Sequence, residues 1–329
     1  MRIQWDSPID DKTIVGNSLG YGLANRNLKL ALAKFDAIGD DEDTVISFCH
    51  PWHYKPPRGK RLAIFTMCEH KWLTDDYLKA FEVADFIVTP SNFCKEVFAS
   101  RTKKPIFVCP LGIDPQVFKF RKRYWTPKRG ERFRILYVGA PNFRKFSIME
   151  EVHMNLLAPL GDKVELYVKT TGATMDGLEA DVVRKGNWVV DNRMLPLDQL
   201  VKLYHSAHAG LFLHLGEGAG LVEMESMSTG LPTILSDHTA TQDFATEANS
   251  FPVRVAPGKI DVLVGENLDE ILRIDAGIPV LENAMERIWE VMSAYPEALV
   301  KARQGSRDVA HLTWENSART LLKIVSDFA

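Results

Sequence analysis

Short apolar runs alternate with helix-patterned segments along most of this chain, and that alternation leaves few architectures open. Runs at residues 2–5, 45–49, 62–67, 86–89 and 106–108 form one series, and runs at 134–138, 164–168, 188–190, 210–214 and 233–235 form a second. Strands buried on both faces read as continuous apolar stretches, and a parallel neighbour needs a crossover that a helix supplies. The pattern therefore predicts an α/β protein whose parallel sheets carry helices on both faces. Helix candidates include residues 22–34, with Leu23, Leu28, Leu30, Leu32 and Ala33 on an apolar side, and 91–100, where Ser91 can cap. A Pro-, Lys- and Arg-rich interval at 114–131 separates the two series. With 329 residues and 46% hydrophobic content, two domains are expected, at 1–125 and 126–329. Residues 281–292, 296–309 and 313–328 read as closing helices, and the last, with Leu321, Leu322 and Ile324 on one side, needs a surface that the first domain can offer.

No apolar run approaches the roughly 18 residues of a membrane span, so membrane insertion is not expected and a soluble, cytoplasmic protein is (host cytoplasm, were the chain viral). Cys49, Cys68, Cys94 and Cys109 stand singly, without zinc-type or disulfide-scaffold spacing, and read as core thiols. Charge is uneven: residues 1–130 carry 21 Lys or Arg against 15 Asp or Glu, and the remainder 19 against 28. The basic excess lies in Lys103, Lys104, Lys119, Arg121, Lys122, Arg123, Lys128 and Arg129, interleaved with Phe118, Phe120, Tyr124 and Trp125. Such a segment can meet phosphates and stack on bases, or it can be a solvated linker whose aromatics pack on a domain edge.

Chemistry is concentrated in Glu217-Gly-Ala-Gly-Leu-Val-Glu-Met-Glu225, where an apolar run gives way to a helix. A helix starting near Gly220 and Leu221 presents free backbone N–H groups and its positive dipole end to an anion. Glu217 before it and Glu225 within it can grip hydroxyls on either side, a layout that matches sugar, diphosphate and ribose. Each charge-assisted bond is worth about 1.5–3 kcal/mol. A solvated first turn remains the plainer alternative for these two acids.

Ligands of open parallel sheets sit beyond the C-terminal strand ends. The glycine-rich stretch 16–22, including Gly20, follows the first strand and lets backbone approach a phosphate, although it lacks dinucleotide and P-loop spacing. Arg144 and Lys145 follow the strand ending at Gly139 and can offset the charge of a leaving diphosphate. Lys169, at another strand exit, can support the same phosphates or cover the sheet edge. His50, His53, Glu69 and His70 follow first-series strands and can present a base or polar contact to an acceptor hydroxyl. No compact ligand set is evident, so no metal site and no true cofactor are expected, with a nucleotide-diphosphate sugar as co-substrate.

The segment from Glu217 to Ser236 resembles the EGxGL…EAMAxGxPVI signature, with its E-x7-E pair, of the retaining GT-B glycosyltransferases of family 4. Residues 90–98 and 110–118 also look like that family's PSxxxxxxF and PxGxDxxxF elements, and the resemblance spans most of the chain. It implies two Rossmann-like domains with parallel sheets facing across a cleft, and transfer of a hexose, glucose foremost, from a UDP-sugar. By resemblance Glu217 binds sugar hydroxyls and Glu225 the ribose, Gly220 and Leu221 offer backbone to the diphosphate, Gly20 approaches it from the other domain, and Lys145 holds phosphate. The family's arginine after the strand-exit glycine is here Ala140 and the glycine after the lysine is Phe146, which leaves Arg144 as a displaced charge. The family's first-domain histidine has no clean counterpart, and Glu69 and His70 share its neighbourhood. The acceptor implied is a small molecule or glycan, or 5-hydroxymethylpyrimidine in DNA as in viral DNA glucosylation. A non-catalytic sugar-nucleotide binder is the other class, and oligomeric state is open.

Overall fold

The computed structural model describes residues 1–7, 19–57, 59–124, 131–140, 148–149, 151–170, 181–264 and 270–328. Strands β1 (Ile3–Asp6), β2 (Ile38–Gly39), β3 (Thr44–Phe48), β4 (Arg61–Phe65), β5 (Phe86–Thr89) and β6 (Ile106–Val108) form a sheet in the order β2-β1-β3-β4-β5-β6. Every pairing in it is parallel. Strands β7 (Phe133–Val138), β8 (Val164–Lys169), β9 (Val182–Lys185), β10 (Trp188–Asp191), β11 (Ala209–Phe212), β12 (Thr233–Ser236) and β13 (Phe251–Val253) form a second, in the order β13-β12-β11-β7-β8-β10-β9. Only β9 runs antiparallel there, against β10.

Both sheets bury nearly all of their central strands, as continuous apolar runs require, with Arg61 of β4 and Arg134 of β7 half-buried. All residues of β3, β5, β8, β11 and β12 are buried. On the first sheet lie α1 (Leu19–Ala33), α2 (Asp75–Val83) and α3 (Asn92–Ala99), packing Leu28, Leu32, Phe81 and Phe98 against Ile46, Phe48, Ile64 and Phe65. Ser91 caps α3 as its sequence position suggests, its hydroxyl accepting from the Cys94 amide at 3.3 Å. The second sheet is covered by α4 (Leu197–Ser206), α5 (Leu221–Ser228), α6 (Leu281–Ser293) and α7 (Tyr295–Asp308).

The last helix, α8 (Trp314–Phe328), crosses back: Ala318, Leu321, Ile324 and Val325 lie in the first sheet's core. Two chain segments make the crossing side by side. Ile113 bridges Thr313 in parallel, its amide donating to Leu312 O at 2.9 Å, and the Ser317 hydroxyl donates to Pro110 O at 2.6 Å.

The short strands β2, β9 and β13 lie outside the sequence expectation, and so does a larger feature. Strands β14 (Val255–Val264) and β15 (Glu270–Pro279) form a separate antiparallel hairpin. Ile260, Val262, Leu272, Ile274, Ala276 and Ile278 line its apolar side with Leu215, while Lys259, Asp261, Arg273 and Asp275 alternate with them. That period of two is present in the sequence, interrupted by Pro257, Gly258 and Gly277. Among the described residues no helix is long and apolar enough to cross a membrane, and all four cysteines are buried free thiols.

Leu321 is fully buried although its helix closes the chain. Leu321→Ala should therefore cost about 2–5 kcal/mol in urea unfolding, whereas Leu30→Ala, at a site 55% exposed, should cost under about 0.5 kcal/mol. Equal small losses would mean that α8 contributes nothing to the first sheet's core.

Candidate active site

Strand order locates the crevices. From β1 the chain passes to β2 on one flank and returns to β3 on the other, and from β7 it passes to β8 and later to β11 on the opposite side. Such reversals open a gap beyond the strand C-termini, where loops can surround a ligand. The loop after β3 carries His50, Trp52 and His53, the loop after β4 carries Glu69 and His70, and the loop after β11 carries Glu217.

That last loop turns into α5 through Gly220, whose φ of 77° is left-handed. A Cβ there would pay the left-handed penalty and lie 2.8 Å from the Phe244 ring. As N-cap, Gly220 brings no side chain to the first amides of α5, which follow the turn directly.

The two sheets meet at this loop. A Cβ on Gly216 would lie 2.1 Å from the Glu69 carbonyl oxygen and 3.1 Å from the His70 ring, so only glycine fits. The Ser91 hydroxyl donates to Gly218 O at 2.9 Å, and the Asn92 amide, at the start of α3, donates to the Asp243 carboxylate at 2.8 Å. Ala219 and Leu221 pack against the first sheet's core. The opposing loop is itself pinned, because the Met67 amide donates to the Tyr21 hydroxyl at 3.1 Å and the Tyr77 hydroxyl donates to Met67 O at 2.6 Å. Burial pushes both phenols well above their ordinary range and keeps them neutral.

Glu217 is buried, its amide donating to Thr239 Oγ1 at 3.0 Å. Glu225 lies half-buried on the second turn of α5 and accepts from the Tyr204 hydroxyl at 2.9 Å. Along the chain the two residues flank the Gly220 turn, Glu217 buried before it and Glu225 half-buried after it. Leu221 is half-buried between the cores. Glu69 and His70 are half-buried against Gly216, across from them. Gly20 is exposed in the first turn of α1, with open space where a Cβ would stand. Arg144, Lys145, Phe146 and residues 16–18 lie outside the described residues.

His50 stacks on Trp52 with ring centres 4.8 Å apart and planes 3° apart, and the rings of Tyr21 at 3.9 Å and His53 at 6.2 Å also lie against it. Burial pulls its imidazole down to about 4, against the field of Glu69, so the ring is neutral near pH 7. Trp52 remains 53% exposed, a flat face at the crevice mouth.

Two expected phosphate contacts are reassigned. The Lys169 ammonium is buried and donates to the carbonyls of Thr170, Asp191 and Arg193, tying β8 to the 191–193 loop. Its three protons are spent on backbone, and burial lowers it to about 8. Arg123 is likewise buried, donating to Thr229 O at 3.1 Å and Tyr204 O at 2.8 Å, with Phe118 in the second core. Of the basic-aromatic segment, Lys119, Phe120, Arg121, Lys122 and Tyr124 remain exposed.

His214 and Glu223, absent from the sequence expectation, are buried beside Glu217. His214 Nδ1 lies 2.8 Å from Glu217 Oε1 and 2.8 Å from Glu223 Oε1. The spacing His214-x-x-Glu217 is visible in sequence, but nothing there turns Glu223 inward rather than Val222.

No known protein-family profile matches the chain, and no curated protein matches it by sequence. Solved structures do. Sucrose-phosphate synthase from Thermosynechococcus elongatus is 13% identical, with a TM-score of 0.59 over 95% of this chain and 79% of that one. The α,α-trehalose 6-phosphate synthase of Burkholderia multivorans is 12% identical, with a TM-score of 0.60 over 95% and 78%. Anabaena Alr3699/HepE, solved in complex with UDP and glucose, is 10% identical, with a TM-score of 0.62 over 91% and 80%. These neighbours are GT-B glycosyltransferases. The chain accordingly has the GT-B fold, two Rossmann-like sheets facing across a cleft.

The close approach at Gly216 gives a contrast with Gly20. Gly216→Ala should lose about 1–3 kcal/mol in urea melts, as overpacking does, while Gly20→Ala, in open helix, should be neutral or gain up to about 1 kcal/mol. Near the cleft edge, burial alone would raise the Asp191 carboxyl, but hydrogen bonds from Arg193 and Tyr167 outweigh it and hold it at about 2. A depressed acid stabilises the fold above its unfolded pKa of about 3.9. Stability should therefore fall as pH drops from about 4 to about 2, and Asp191→Asn should flatten that limb of a pH series of melting temperatures.

Proposed function

We propose that this chain is a retaining glycosyltransferase that moves a hexose, with glucose the first candidate, from a UDP-sugar to an acceptor hydroxyl. The observation that carries it is the turn between Glu217 and α5, where Gly220 takes a left-handed φ of 77° and Gly216 and Gly218 pack on the loop after β4, with Glu217 before the turn and Glu225 after it in the chain. The neighbours add weight: one is held with UDP and glucose, and another is named a UDP-forming synthase.

In this reading the first amides of α5 receive the diphosphate and Glu225, steadied by Tyr204, accepts from the ribose. Glu217 accepts from sugar hydroxyls and so orients the anomeric carbon. Lys145, with Arg144 near it in sequence, offsets charge on the departing phosphate, as the family resemblance implies. The acceptor hydroxyl enters from the first sheet's side, past His50, Glu69 and His70. Its oxygen bonds to the anomeric carbon on the face the diphosphate leaves, the bond from that carbon to the phosphate oxygen breaks, and the proton passes to the leaving oxygen. UDP then carries away the electron pair and the proton. Glu217 positions the sugar and does not attack. The close seating of the two loops excludes water, which competes with the acceptor.

Glu217→Gln should lower kcat at least about 100-fold with an unchanged urea midpoint, since its contact strengthens toward the transition state. Glu225→Ala should raise the KM for UDP-glucose by about tenfold or more, the worth of one charge-assisted bond, with a smaller effect on kcat. Steady-state hydrolysis of UDP-glucose without acceptor supplies both numbers. No turnover and no UDP-glucose thermal shift in the wild type would leave only a protein with the fold and not the activity.

A further inference from the structure

Beside the donor cleft, His214, Glu217 and Glu223 converge from the loop after β11 and the helix that follows it. His214 follows β11, Glu217 lies in the loop after it, and Glu223 sits on the first turn of α5. Their exposures are 1%, 6% and 0%. One donor atom from each of the three lies within 4.8 Å of the other two, and His214 Nδ1 stands 2.8 Å from both Glu217 Oε1 and Glu223 Oε1. Proximity here is not pairing. Among the described residues neither nitrogen of His214 and neither carboxylate oxygen of Glu223 makes a hydrogen bond.

Buried polar atoms in native proteins are nearly always satisfied, and a buried carboxylate without a partner costs several kcal/mol. One N–H on Nδ1 cannot point at two carboxylates at once. Charge gives the same imbalance, because an imidazolium neutralises one glutamate and leaves the second in the interior. A dication with a neutral imidazole neutralises both and draws on one atom from each residue.

We propose that His214, Glu217 and Glu223 form a site for one divalent first-row cation, of the manganese, iron or zinc class. Mixed imidazole and carboxylate donors suit these ions better than Ca2+ or Mg2+, which take oxygen. Ligands about 2.1 Å from a metal stand about 3.0 Å apart at right angles and about 3.4 Å apart in a tetrahedron. The observed 2.8 Å separations lie nearer the first, so a six-coordinate ion such as Mn2+ fits with the least movement. The rings of Tyr137 and Phe212, 5.8 and 6.0 Å from that of His214, wall the imidazole and limit its exchange with water. The site departs from the metal-free expectation drawn from sequence, and it stands apart from the transferase reading, because metal binding is read without any nucleotide sugar.

The test uses the full chain stripped with EDTA and titrated calorimetrically with MnCl2 and, separately, ZnCl2, with bound metal counted by mass spectrometry after desalting. The expected result is about one equivalent of Mn2+ or Zn2+ per chain, at least about tenfold weaker in both Glu223→Gln and His214→Gln and unchanged in the exposed-site control His311→Ala. Circular dichroism of the metal-free variants checks their folding. If either variant fails to fold, pulsed EPR of Mn2+ on the wild type decides: 14N coupling from an imidazole supports the site, and its absence overturns it. Absence of stoichiometric binding by both ions, or binding undiminished in both variants, likewise overturns it and leaves the trio an ion pair alone.

Discussion

The contact on which the cleft depends is backbone against backbone: the loop at Gly216 lies over the Glu69 carbonyl with no room for a single carbon between them. Everything that forms the candidate site is measured from this seam. Glu69 and His70 belong to one side, Glu217 and the start of α5 to the other, and Tyr21 and Tyr77 stiffen the side that carries Met67. Side chains at the seam would separate the sheets by more than a hydrogen bond's reach. Glycine is therefore a requirement of apposition here as much as of turn geometry.

The seam is maintained by covalent economy elsewhere. The chain leaves the first sheet through residues 109–124 and re-enters it at 313, and the two passages run side by side. Arg123 fastens the outgoing strap to Thr229 and Tyr204, just beyond the helix that begins at Gly220. The returning helix α8 buries Leu321 and Val325 under the first sheet. Both sheets thus hold elements from the opposite side of the crossing, which limits how far they can separate without exposing apolar surface.

Buried charge is treated in two different ways around the cleft. Lys169 and Arg123 are surrounded by carbonyl oxygens, and Asp191 receives donors from Arg193 and Tyr167, so each is answered by hydrogen bonds. His214 and Glu223 are as deeply buried and are answered only by proximity. Low dielectric magnifies the difference, because an aligned bond strengthens there while an unaligned charge keeps its full desolvation cost. Within the described residues, Glu223 is the carboxylate among the buried polar groups left without a hydrogen bond, which also include the Ser236 hydroxyl, the His238 ring nitrogens and Arg123 Nε.

The residues alone determined the architecture and the turn into α5. Two series of apolar runs could be buried only as parallel sheets, and Glu217-Gly-Ala-Gly-Leu had to turn from strand to helix because glycine alone tolerates the left-handed step. The hairpin of β14 and β15 was legible by its alternation yet masked by Pro257 and two glycines. Tertiary structure decided which cations are used up inside the fold: Lys169 and Arg123 look identical to phosphate-binding cations along the chain and are consumed by carbonyls only once β10 and α5 come alongside. It also decided that Glu223 turns inward to His214, since a first-turn glutamate is ordinarily solvated and no local pattern records what packs against its face. Local periodicity specifies which backbone forms. Burial of a charge is a property of neighbours distant in sequence.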